Sequence, residues 1–267
     1  MRTAQPTVVI EEILDRTIQG VTEPFICRGD DGQVYFVKGR SAGRRSLVCE
    51  WVASQVATAL GLPIAGYVVA EVPEQLLAYK VRPDLGDLGS GLVFASRQLP
   101  HVQELSLTTR NLVPHERARD VLVFDWWVRN EDRHLTARGG NPNLLWDVAA
   151  DELVVIDHNQ AFDRDFRPGH FLESHVFADY WNEVFGDHDL RGTYVDRMET
   201  VLRLLDSVRA SIPILGGGWT TGFLRMFRGM NCSAFWPAVA TMISGISREQ
   251  GRLSVRTIAL SPVCRDG

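Results

Sequence analysis

The sequence has little of what marks several large protein classes. Four cysteines stand in 267 residues, Cys27, Cys49, Cys232 and Cys264, and no two form a CxxC pair. That argues against a zinc ribbon or a dithiol redox motif, and isolated reduced thiols are expected. No window approaches the ~20 uninterrupted apolar residues that a membrane span needs. The opening "MRTAQPTVVIEEILDR" meets its acids before any apolar run long enough for a secretory signal, so a cytoplasmic location is expected. Positive charge is not in excess. Lys plus Arg is 28 against 33 for Asp plus Glu, a net of −5. A broad nucleic-acid surface is thereby disfavoured. Internal repeats and low-complexity runs are absent. What remains is 45% hydrophobic and 23% charged, an ordinary globular balance, in a chain long enough for one or two domains with a sizeable core.

The two halves differ in pattern. Residues 8–14 and 25–29 are β-branched and apolar and predict strands. "DDG" at 30–32 is a hairpin turn, and "QVYFVKG" at 33–39 a third strand with Lys38 near its end, so the chain opens on an antiparallel meander. Helical period runs over 46–60, with Leu47, Trp51, Val52, Val56 and Ala59 on one face. Gly61 and Pro63 end it. Strands are predicted at 65–72, 75–81 and 92–96. From 116 to 129 the pattern is helical, and from 163 to 251 mostly so, with a break at "LGGGW". The expected class is therefore α+β, with a strand-rich region over 1–100 holding one helix and a helical region over 101–267.

The chemistry concentrates where the halves meet. After the helix comes "NEDRH" at 130–134, then a strand "NLLW" at 143–146, a turn, a strand "LVVI" at 153–156, and Asp157. Phosphoryl transfer needs such parts. One carboxylate orients or deprotonates the attacking hydroxyl, and an amide oxygen with a second carboxylate holds Mg²⁺ against the phosphates of ATP. A strand lysine steadies those phosphates and a helix glutamate holds the lysine. Lys38, Glu50, Asp132, Asn143 and Asp157 supply candidates in that chain order. Taken singly each has a plainer reading. Lys38 can be a solvated lysine at a strand end. Glu50, off the apolar stripe beside Ala53 and Ala57, reads as a solvated helix glutamate. Asp132 and Asp157 can be turn or capping aspartates. Trp126 and Trp127 read as packing residues, and His170 with His175 makes a poor metal set.

"QGVTEPFICRGDDGQVYFVKG", "LVCEWVASQVATALGLPI", "NEDRH", "GGNPNLLW" and "VVIDHNQAF" resemble the HipA-like kinases over residues 8–165. The resemblance implies a two-lobed protein-kinase-like fold, with a small lobe over 1–100 and a large lobe over 101–267. It implies ATP and Mg²⁺ as cofactors. Lys38 would contact phosphate with Glu50 as partner. Thr17, Gly20 and Val21 would lie in the loop over the phosphates, and Phe94 and Ser96 beside the adenine. Asp132 would be the catalytic base, in a loop completed by Arg133 and His134. Asp157 would bind the metal with Asn143. The acceptor implied is a hydroxyl, of a protein Ser or Thr, with an antitoxin-like protein as a conceivable partner.

The departures are specific. The Asp-to-Asn spacing in such loops is about five residues, but "LTARGG" intervenes here, so Asn141 competes with Asn143 for the metal. Asp157 is followed by His158 and Asn159 rather than Phe-Gly, and the phosphate loop has one glycine. Two other classes stay open at this point: a kinase of small molecules or lipid headgroups on the same frame, and a nucleotide-binding pseudokinase or interaction module.

Overall fold

The computed structural model describes residues 8–18, 22–78 and 82–211. Three strands come first, β1 (Val8–Arg16), β2 (Phe25–Gly29) and β3 (Val34–Lys38). Helix α1 (Gly43–Ala59) follows, then β4 (Tyr67–Val72), the short helices α2 (Glu74–Ala78) and α3 (Leu85–Leu88), and β5 (Gly91–Arg97). The predicted meander is present, but it is part of a closed five-strand barrel in the order β1-β2-β3-β5-β4. Closure comes from a parallel pairing of Val8 with Ala70 and Val9 with Glu71. Such a contact links distant residues and leaves no local signature.

A strand expected over 75–81 is instead helix at Glu74–Ala78. Glu, Gln, Leu and Ala are strong helix formers, and the turn starts from Pro73, whose carbonyl accepts from Leu76 N–H at 3.1 Å. Helix α1 ends as its sequence predicts, with Gly61 at φ 78° and its N–H on the Thr58 carbonyl.

The second half holds β6 (Val102–Glu104), α4 (Leu107–Arg110), α5 (His115–Val128), the hairpin β7 (His134–Thr136) and β8 (Gly139–Asn141), and the pair β9 (Leu144–Asp147) and β10 (Glu152–Val155). Helices α6 (Pro168–Ser174), α7 (Trp181–Gly186) and α8 (His188–Ser211) follow. Strand β6 joins β9 and β10 in a three-strand sheet. The predicted break at 215–219, the helical pattern beyond 211, Cys232 and Cys264 lie outside the described residues.

Two cores form. Ile10, Phe25, Cys27, Val37, Val72, Val93 and Ala95 fill the barrel. The larger core joins α1 to α5, β9, β10 and the later helices. Trp126 is buried in it, with its ring centroid 4.6 Å from that of Trp181 and 5.5 Å from that of Phe171, the packing role expected of it. So α1 is inserted in the barrel's sequence but belongs to the core of the second half.

Candidate active site

Strand alternation builds one side of a cleft. On β3, Tyr35 and Val37 point into the barrel while Phe36 and Lys38 point out. On β5, Val93 and Ala95 point in while Phe94 and Ser96 point out. The register pairs Lys38 with Phe94 and Phe36 with Ser96, so these four share one outer face. Across from them lie Leu144, Leu145, Val155 and Ile156 of β9 and β10. A cavity of about 640 Å³ separates the two sides, a size that suits a small-molecule cofactor.

Lys38, Glu50 and Asp157 meet in this cavity. Lys38 Nζ donates to Glu50 Oε1 and, at 2.9 Å, to Asp157 Oδ1. Of the two readings of Glu50, the solvated helix residue is excluded: it is 1% exposed. The reason is that α1 is buried without a break from Leu47 to Ser54 and has no free polar face there. The His158 backbone N–H holds the second Glu50 oxygen at 3.0 Å.

One ammonium thus serves two carboxylates, a net of one negative charge. Burial works to lower the Lys38 pKa, but Glu50 and Asp157 outweigh it and hold it above the ordinary lysine value. Burial works to raise Glu50, but the Lys38 charge and hydrogen bonding from His158 hold it below the usual carboxylate range. Asp157 goes the other way. Burial and then the Glu50 charge push it up, and Lys38 offsets only part of this. Asp157 is therefore the carboxylate short of positive charge.

Asp132 lies on the loop after α5 and is half-buried. Both candidate amides reach it, Asn143 Nδ2 at 2.9 Å and Asn141 Nδ2 at 3.1 Å on the same Oδ2. The hairpin of β7 and β8, built from the residues that separate Asp132 from the asparagines, brings Asn141 there. Asn143 and Asp157 both have left-handed backbones, at φ 47° and 51°. Asn and Asp tolerate this better than most residues. Asn143 and Asp157 both line the cavity, as does Asn141. Asn143 is buried and Asn141 is exposed.

Two members of the expected catalytic loop are placed differently from Asp132. Arg133 turns inward and is fully buried. Its Nε donates to Asp125 Oδ2 at 2.7 Å, and its Nη1 to the carbonyls of Pro142 at 3.3 Å, Ile156 at 3.2 Å and Asn143. His134 starts β7, pairing with Asn141 and bridging to His175. Thr17 lines the cavity, with its N–H on the Pro24 carbonyl at 3.0 Å across the loop. Gly20 and Val21 lie outside the described residues.

Sequence reasoning passed over Asp125 and gave Asn130 and His175 no part in the site. Asp125 is a lone acid inside the apolar run "VLVFDWWV", and a buried charge needs partners. It accepts from Arg133 and His175 on Oδ2 and from Asn130 Nδ2 at 2.9 Å on Oδ1. Burial would raise its pKa, but Arg133 and His175 hold it below the usual range. The Phe177 N–H donates to His175 Nδ1 at 3.2 Å, so Nε2 carries the proton and donates to Asp125 at 3.0 Å. Burial lowers the His175 pKa against the pull of Asp125, and the ring stays neutral at pH 7.

Among the described residues no group of three His, Cys, Asp or Glu side chains could hold a metal. No helix among them is long and apolar enough to cross a membrane.

The crystal structure of the proinflammatory kinase CtkA of Helicobacter pylori superposes with a TM-score of 0.53 at 11% identity, covering 91% of this chain and all of the other. At that identity the likeness is one of fold. No curated protein sequence matches. The family model for HipA-like kinases matches residues 10–221, most of the chain. The chain belongs to the HipA-like kinase family.

Proposed function

We propose that the protein is an ATP- and Mg²⁺-dependent kinase that transfers the γ-phosphoryl group to a hydroxyl, that of a protein Ser or Thr. The observation that carries this reading is Lys38 held by both Glu50 and Asp157 in a cavity that Asn143, the partner of Asp132, also lines. We assign the barrel, within residues 1–100, to the small lobe and the described residues from 101 on, whose core α1 shares, to the large lobe, with the nucleotide between them.

The residues fit a Mg²⁺ ion. Asp157 lacks compensating positive charge, and one carboxylate with an amide oxygen is the sparse oxygen set of an ion that completes its shell with phosphate and water. Bound there, the ion would neutralise charge on the phosphates. Lys38 binds the α- and β-phosphates, with Glu50 aiming its ammonium. Phe94 and Ser96 border the base. Asp132 accepts a hydrogen bond from the acceptor hydroxyl through the oxygen that the asparagines leave open, and takes its proton as transfer proceeds. Residues 136–141 beside Asp132 are exposed, which favours a protein acceptor over a small molecule enclosed by walls. The location we propose is the cytoplasm, with an antitoxin-like protein as a partner to test.

The test is Mg-ATP binding and transfer in wild type and Asp132→Asn. Binding at 100 times Kd should stabilise both by about 2.7 kcal/mol. Transfer should fall about 10²- to 10⁴-fold in the variant only. Transfer to a lipid headgroup or small molecule, but to no protein, would replace the acceptor class. Absence of any Mg-ATP stabilisation would leave a non-catalytic module.

A further inference from the structure

Asp125, Asn130, Arg133 and His175 form a polar cluster sealed from solvent below the cleft. Nothing in it can touch a nucleotide or an acceptor. Toward the hairpin and the strand before Asp157 it reaches through Arg133 Nη1, which holds three backbone carbonyls from two separate segments, while Asn130 Oδ1 accepts from the Asp132 N–H at 3.3 Å. Those segments carry two of the three candidate metal ligands, Asn143 and Asp157. The Asn143 carbonyl belongs to Asn143 itself, and the Ile156 carbonyl is the peptide immediately before Asp157. The Asn143 carbonyl also accepts from the Ile156 N–H at 3.1 Å, so the same oxygen ties the segments to each other. Both ligand residues have left-handed backbones, conformations that persist when their surroundings over-determine them.

We propose that Asp125, backed by Asn130 and His175, is a positioning residue that sets the Arg133 guanidinium, and that Arg133 in turn fixes the backbone presenting Asn143 and Asp157 to the metal. This rests on the kinase reading of the site. Each part has a chemical reason. The planar guanidinium can bond Asp125 through Nε and the carbonyls through Nη1 at once, which a lysine ammonium cannot do. Asp125 fills both its oxygens with donors, and so fixes the plane in which Arg133 lies. His175 presents Nε2–H to Asp125 because the Phe177 N–H occupies its Nδ1. A buried guanidinium needs acceptors in any case; what points to positioning is that Nη1 takes them from Asn143 and from the residue just before Asp157, while Nη2 is left without a partner among the described residues.

The experiment compares wild type with Arg133→Lys and His175→Gln. Each keeps a donor toward Asp125 and weakens the aim. Two readouts are taken: Mn²⁺ binding in the presence of a non-hydrolysable ATP analogue, by electron paramagnetic resonance, and the split of transfer kinetics into kcat and the KM for ATP. Loss of outer partners that orient metal ligands weakens metal affinity or activity about 10- to 100-fold. Arg133→Lys should therefore weaken Mn²⁺ binding at least tenfold and lower kcat, with the KM for ATP within about threefold of wild type. His175→Gln should shift the same two quantities in the same direction by a smaller factor. Wild-type Mn²⁺ affinity and kcat in folded Arg133→Lys would overturn the proposal. Should that variant not fold, unchanged Mn²⁺ affinity in His175→Gln overturns it by the same criterion. Failure of wild type itself to bind Mn²⁺ with the nucleotide would instead sink the kinase reading on which the proposal rests.

Discussion

The Lys38, Glu50 and Asp157 cluster predicts an asymmetry between its members. Removing the lysine, as in Lys38→Met, leaves two carboxylates without the cation they share. Breaking a buried pair in this way costs about 3–5 kcal/mol. Removing the extra carboxylate, as in Asp157→Asn, leaves Lys38 and Glu50 as a balanced pair. That variant loses a charge-assisted hydrogen bond at 2.9 Å, which contributes about 1.5–3 kcal/mol. It also sheds the burial of the Asp157 charge and its repulsion from Glu50, the two largest causes that raise its pKa. These oppose each other, so the net change should lie within about 1 kcal/mol of zero. The assay is thermal unfolding at pH 7.5 with chelator and without nucleotide. For a chain of this size, 1 kcal/mol moves Tm by about 2–4 °C. Lys38→Met should fall by about 6–20 °C and Asp157→Asn by no more than about 4 °C. Asp157→Asn should nonetheless lose the stabilisation by Mg-ATP. Equal losses in the two variants would refute the reasoning, because Asp157 would then be a structural partner of Lys38 rather than a carboxylate held in excess for a cation.

Two further outcomes follow from the same geometry. Asp157 has a raised pKa, so its ionised form costs native stability above the folded pKa, and that cost fades as pH falls through it. The Tm of wild type relative to Asp157→Asn should therefore rise as pH falls from 7 to 4, and a constant difference would contradict this. Gly140 lies on β8, where an added Cβ would stand 2.3 Å from the His134 carbonyl oxygen. Gly140→Ala should open the hairpin, free Asn141 from Asp132 and slow transfer tenfold or more with Mg-ATP stabilisation retained, and a wild-type rate would show that the Asn141 contact is idle.

The parts of the site that a sequence can display are those that end or begin local elements. Lys38 at a strand end, "NEDRH" after a helix and Asp157 after "LVVI" all occupy such places, and the structure puts them around one cavity or beside it. What the sequence concealed depends on contacts across long separations. Glu50 was legible as a candidate but its burial was not: it is polar on a helix whose period suggests a wet face, and that face is covered by a second half the helix itself cannot announce. Asp125 and His175 are separated by 50 residues and meet only because α6 folds back under α5. The pairing of β1 with β4 that closes the barrel is of the same kind. "LTARGG" is too short for strand period to register, yet it forms the pair of strands that delivers Asn141.

The residues after Asp157 determine how such a site can open. His158 replaces the phenylalanine usual there, and its backbone N–H is committed to Glu50 while its ring packs edge-on against Phe124, with centroids 5.6 Å apart. Arg45 holds the Ala161 carbonyl at 3.1 Å, and Cys49 Sγ reaches the same oxygen at 3.2 Å. Helix α1 therefore grips residues 157–161 through Arg45, Cys49 and Glu50 together. Swinging Asp157 away from the cleft would strip a buried glutamate of a donor and break the grip along the helix. Moving α1 outward would do the same from the other side. The two displacements are one displacement. Within the Lys38–Glu50–Asp157 cluster, Lys38 alone comes from the barrel, and the other two come from the body whose core α1 shares. The seam along which the site can part runs between the lysine and its two carboxylates. On the proposed reading, phosphates entering that seam would compete with those carboxylates for Lys38, and a cation on Asp157 would lessen what Lys38 gives up by turning toward them.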